Sequence, residues 1–216
     1  MTETRKVRIF WGVIVVLTLG AAGFAVAPYL YLDPGLIRVE LNPSFPPHYP
    51  LLLVHIWCSF LALVIGWLQF LPGLRKRRTD IHRLAGRIYL RLVAVGGITG
   101  LTVGMFATSY VRQMSFLTLG ILWLFTGWKG YQKARLGRFD DHGAWMVRNY
   151  ALTLVAASAR LLTPFCILIY LAGHGGHSAA AVVKQVLEIN IWVGLAANLV
   201  IAEWMILMRN FRRCIS

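Results

Sequence analysis

The stretch Thr79-Asp80-Ile81-His82-Arg83-Leu84-Ala85-Gly86-Arg87-Ile88-Tyr89 decides how the chain is read, because a basic loop passes there into an apolar helix. Arg75-Lys76-Arg77-Arg78 precedes it, and the run Ile88–Thr108 that follows carries Arg91 as its only charge. A cationic cluster abutting an apolar run of this length marks a membrane boundary and the side it faces.

Working outward, the composition agrees. Of 216 residues, 58% are hydrophobic and the mean hydropathy is +0.64, against roughly 45–50% apolar residues in soluble domains. The length suits one transmembrane domain over residues 1–216. A net charge of +14 raises nucleic acid as a partner, but the cations fall in short clusters between apolar runs, as topology signals do, and no nucleic-acid binding is expected. Cys58, Cys166 and Cys214 are isolated and imply neither a disulfide framework nor a thiolate metal site.

A spanning helix needs roughly 20 mostly apolar residues. Six segments qualify, at about 9–32, 51–71, 88–108, 114–128, 145–172 and 186–208, giving an all-α bundle of six transmembrane helices. The first follows Arg5-Lys6-Val7-Arg8 like a signal peptide, yet its apolar run continues past Ala27, so an uncleaved helix is expected. Ser109-Tyr110-Val111-Arg112-Gln113 reads as a tight turn that makes an antiparallel hairpin of the third and fourth segments. With the N-terminus inside, nearly all cations collect on one side, leaving Arg38, Arg112 and Lys184 opposite. The positive-inside rule then gives an N-in, C-in protein of a cell membrane.

The outer loop Asp33–Pro50 is too rich in proline for a regular helix, and His174 and His177 fall in a solvated Gly-rich loop. Polar residues within the spans are costly and informative. His55 lies near the outer end of the second segment, where a hydrogen bond to another helix suits it better than ligation; His48, seven residues earlier, is on or near the same helix. Arg160, mid-way along the fifth segment, is expected to point inward, towards Glu188, an anionic group or a wet cavity.

Helical spacing aligns His82, Gly86 and Tyr89 on one face, with Arg83 and Arg87 beside them, and aligns His142, Trp145 and Asn149 on another, with Arg148 adjacent. Two imidazoles at one depth on different helices suit the axial positions of a b-type haem (heme b), with Gly86 leaving room for the macrocycle and Arg87 and Arg148 placed for its propionates. The plainer reading is interfacial anchoring, which also favours His, Arg, Trp and Tyr. A third is a metal held by Asp80, His82, Asp141 and His142, although carboxylates at helix starts also serve as caps.

Three blocks together resemble a known family: His55-Ile56-Trp57 through Gly66-Trp67-Leu68-Gln69-Phe70-Leu71-Pro72-Gly73-Leu74-Arg75, then His82–Tyr89, then His142–Thr153 with Arg160-Leu161. They resemble the bacterial predicted membrane proteins grouped as domain of unknown function 2306, over roughly residues 50–165. The resemblance implies no reaction. It implies positions: His55, Gln69, His82, Arg83, Gly86, Arg87, Tyr89, His142, Trp145, Met146, Arg148 and Arg160 match the family's motif, with Asn149 where serine is expected and Gly143 where a basic residue is frequent. By coupling His82 to His142 and Arg160, it favours a shared site and strengthens the haem and electron-transfer expectation, with a quinone or another redox protein as partner. The competing expectation is a non-enzymatic module that binds membrane lipids, quinone or an anionic amphiphile through Gln69, Arg160 and the arginine cluster.

Overall fold

The computed structural model describes residues 3–37, 39, 41–173 and 178–215. They form eight α-helices: α1 (Glu3–Val26), α2 (His48–Gln69), α3 (Pro72–Arg77), α4 (Thr79–Gly104), α5 (Tyr110–Arg135), α6 (Phe139–Thr153), α7 (Val155–Gly173) and α8 (Ala179–Ile215), with no strand among the described residues. Stretches of α1 with the turn after it, α2, α4, α7 and α8 are long and apolar enough to cross a membrane, which makes five. The expected segment 114–128 is the interior of α5, which extends to 26 residues but is diluted by polar residues such as Gln113, Lys129 and Lys133 and does not meet that criterion. The expected segment 145–172 is divided at Leu154, where Ala157 N–H bonds to Leu154 O at 3.0 Å and tightens the chain into one narrow turn.

Close contacts fix the packing. Along α2 and α4, side chains or glycine Cα positions pair as His55 with Gly100, Cys58 with Gly96 and Gln69 with Gly86, an antiparallel register. α5 returns along α4: Leu101 lies over Gly120 and Leu124 over Gly97. The expected hairpin is therefore present, but Tyr110–Gln113 form the first turn of α5, and residues 105–109 make the connection. α8 runs antiparallel to both α6 and α7, since Arg148 meets Glu203, Asn198 Nδ2 donates to Ala151 O at 2.9 Å, and Gly194 packs on Ala159. α6 and α7 thus continue in one direction as a single rod despite the break.

Small residues let helices approach where lipid supplies no hydrophobic drive between them. The closest case is Gly66, where a Cβ would lie 2.0 Å from Tyr150 Cε2; the Tyr150 ring seats there and its hydroxyl donates to Leu63 O at 2.8 Å. The core holds Ala62, Tyr89, Val93, Trp123, Tyr150, Leu152, Val155 and Leu195. α5 ends at Gly137, whose φ of +70° lets Arg138 N–H reach back to Lys133 O at 3.0 Å, a glycine-dependent helix stop. The chain re-enters a helix at Phe139, which sets His142 in the first turn of α6, as Thr79 sets His82 in the first turn of α4.

Prolines shape the opposite end. A short 3-10 turn spans Pro34–Leu36, with the Asp33 carboxylate accepting from Gly35 N–H at 2.8 Å. Pro50 falls inside the first turn of α2, where its missing N–H costs nothing. His48, the first residue of α2, is 2% exposed and its Nδ1 accepts from Asn42 N–H at 2.9 Å.

Candidate functional site

α4 and α6 both begin at the basic end of the bundle, and a buried polar knot ties them together two turns further in. Tyr89 Oη donates to Asn149 Oδ1 at 2.6 Å and lies 2.8 Å from Thr153 Oγ1. Trp123 Nε1 of α5 donates to Thr153 Oγ1 at 2.8 Å, and Asn149 Nδ2 donates to Trp123 O at 2.7 Å and to Thr126 Oγ1 at 2.9 Å. Asn149 is wholly buried and Tyr89 is 1% exposed, so each polar group has the partner that burial demands.

His82 precedes Tyr89 by seven residues and His142 precedes Asn149 by seven. Seven residues are about two turns, or roughly 10.5 Å, on the same helix face. Both helices begin at the basic end, so His82 and His142 each lie about two turns above the Tyr89–Asn149 bond. They lie within electrostatic reach of each other, and Arg75 and Arg83 are within reach of His82. His142 Nδ1 is 2.8 Å from Gly130 O on α5; with the proton on Nδ1, Nε2 keeps its lone pair, the tautomer that suits a ligating histidine. His82 Nδ1 is buried without a partner, as is Gln69 Nε2 on the facing turn of α2. Between them, a Cβ on Gly86 would meet only Gln69 Oε1, at 3.4 Å.

Several expected roles change. Arg148 is not available to a ligand's carboxylate: it donates to Glu203 through Nε at 2.5 Å and Nη2 at 2.8 Å, and its guanidinium lies 5.0 Å from the Trp145 ring centroid. Arg87 is exposed, with Nε 3.4 Å from Arg83 O. Arg160 does not point into the bundle; it is exposed on α7 and its Nη1 donates to Ala156 O at 2.6 Å. Glu188, offered as its partner, instead binds Arg112 at 3.1 Å and accepts from Ser109. The Arg160 guanidinium thus reaches back to the carbonyl one turn earlier on its own helix, which the linear pattern does not reveal. The four-residue metal reading also fails, because Asp141 pairs with Lys133 at 2.9 Å and no group of three potential ligands forms among the described residues.

His55 sits apart from this site, at the other end of α2, with Nδ1 2.7 Å from Gly96 O; that is the expected hydrogen bond to another helix. His174 and His177 lie outside the described residues. Cavities of about 370 Å³ over Gly137–Asp141 and about 340 Å³ between α4 and α5 flank the region, and neither is lined by His82 or His142. The residues the linear pattern missed are Trp123, Thr126, Thr153 and Glu203. Thr153 was accessible, since it extends the His142, Trp145, Asn149 stripe by one more turn; Glu203 carries no such signal, since 55 positions separate it from Arg148.

No curated protein and no solved structure matches the chain. The model of a family described as predicted membrane protein (DUF2306) matches residues 52–206, a span that opens in α2, takes in His55, Gln69, His82, His142 and the whole buried knot, and closes beyond Glu203. The chain belongs to the DUF2306 family of predicted membrane proteins.

Proposed function

We propose that His82 and His142 would hold a b-type haem at the basic end of the bundle, and that the protein carries electrons in the membrane. What supports this is that His82 and His142 each stand about two turns ahead of one end of the Tyr89–Asn149 bond and within electrostatic reach of each other, with His142 Nδ1 2.8 Å from the Gly130 carbonyl. Haem held by two histidines supplies one-electron chemistry without an open coordination position. The chain's part is to hold both rings, to shield the centre with the Tyr89, Tyr150 and Trp123 floor, and to offer cations to the propionates. With Arg148 committed to Glu203, those cations are Arg75, Arg83 and Arg87. In this reading α5 also crosses the membrane, giving six spans, and the basic end faces the cytoplasm of a bacterial cell. Protein purified after haem-replete expression is expected to show a Soret band that shifts on dithionite reduction and is lost in His82→Ala and in His142→Ala; a wild-type protein without the band overturns the proposal.

A second reading draws on the two buried, unpartnered nitrogens of Gln69 and His82 beside Gly86. They suit a quinone carbonyl or another acceptor-bearing headgroup, with its tail between helices. Native mass spectrometry distinguishes the readings: a retained quinone or lipid that is lost in Gln69→Leu, with no absorbance in the Soret region, supports the second.

A further inference from the structure

The cavity of about 340 Å³ between α4 and α5 opens on the lateral face of the bundle, apart from both histidines. Leu90, Val93 and Ala94 wall it on one helix, and Leu124, Trp128 and Tyr131 on the other. Ala94, Trp128 and Tyr131 are exposed, so in a membrane the recess faces lipid. On the same helix stripes, further from the basic end, Ile98 and Ile121 are also exposed and continue the apolar face. Ten residues separate Ile121 from Tyr131, a helical rise of about 15 Å. That is half of a hydrocarbon core of about 30 Å, the depth of one leaflet.

Cations stand at the basic end of this groove. Arg135 Nη1 donates to Tyr131 Oη at 3.4 Å, and Lys129 Nζ lies 4.7 Å from the Trp128 ring centroid. Lys133, between them in sequence, is paired with Asp141, whereas neither Lys129 nor Arg135 has an ion pair among the described residues. An interfacial belt accounts for Trp, Tyr, Lys and Arg at this depth. It does not call for a recess between two helices with two such cations at its mouth.

We propose that the groove holds an anionic phospholipid of the leaflet at the basic end, with an acyl chain between α4 and α5 and the phosphate on Lys129 and Arg135. Charge-assisted hydrogen bonds from the two cations select a net negative head over a zwitterionic one. The site shares no residue with the haem or the quinone reading and stands without either.

The test is native mass spectrometry of the full chain released from nanodiscs of equimolar phosphatidylglycerol and phosphatidylcholine. Wild type is expected to retain phosphatidylglycerol in preference, and each of Lys129→Gln and Arg135→Gln to lower that preference roughly fivefold. Ala94→Trp fills the groove from an exposed position and is expected to remove the bound lipid with both cations in place. Arg160→Gln, which removes a cation on α7 instead, leaves the preference unchanged. Equal retention of the two lipids by the wild type overturns the proposal, as does a preference indifferent to Lys129→Gln and Arg135→Gln. A preference lost in those variants but intact in Ala94→Trp also overturns it, because that is the diffuse attraction of a basic surface without a groove.

Discussion

At the scale of single residues, the site depends on a seven-residue coincidence. His82 and His142 each lie about two turns before one end of the buried Tyr89–Asn149 hydrogen bond of 2.6 Å. Tyr89→Phe leaves Asn149 Oδ1 and the Thr153 hydroxyl without that partner, and is expected to lower stability by about 1–3 kcal/mol. It should also loosen the imidazole pair. Thermal unfolding in detergent measures the first effect, and an unchanged melting temperature would show that the knot bears little of the packing. The alignment of each histidine with its helix face was legible from spacing alone. The bond between the faces was not, because Tyr89 and Asn149 are separated by 60 positions and helical periodicity says nothing about which faces meet.

At the scale of elements, two helix pairs are held by interactions that substitution can separate. α2 and α6 meet through Gly66, and Gly66→Val would drive a side chain into the Tyr150 ring, where even a Cβ has only 2.0 Å. Overpacking of this kind costs about 1–3 kcal/mol and would break the Tyr150–Leu63 bond, so reduced expression and a lower melting temperature are expected. α6 and α8 meet through Arg148 and Glu203. Removing either alone leaves the other charge without its partner, and with the Glu203 side chain 46% exposed the loss is expected to be about 1 kcal/mol or less. The double variant Arg148→Leu/Glu203→Leu is expected to be more stable than either single one; additive losses would show that the two charges are not coupled. The apolar runs gave α2, α4 and α8 to within a few turns. They missed the nine residues by which α4 begins before Ile88, because Thr79–Arg87 is polar on its surface and helical all the same. They missed the break at Leu154 because the proline of that run, Pro164, lies well beyond it and inside α7. Arg160 was misplaced because hydropathy counts the charge but cannot see the Ala156 carbonyl that receives it.

At the scale of the whole molecule, the clustering of cations at one end and the antiparallel path of α5 along α4 carry the topology. In a background lacking Cys58, Cys166 and Cys214, Tyr110→Cys and Leu136→Cys sit on exposed positions at opposite ends of α5. A membrane-impermeant maleimide added to intact cells is expected to label the first and spare the second. Labelling of both would mean that α5 does not cross, leaving five spans and termini on opposite sides. That the protein resides in a membrane was written in its composition; the proposed haem rests on two histidines, a residue type common at any interface. The absorption spectrum of the purified, haem-replete protein therefore bears most directly on the account. A Soret band that shifts on reduction, and disappears with either His82→Ala or His142→Ala, is the predicted result; a colourless wild-type protein, or a band indifferent to both substitutions, contradicts it.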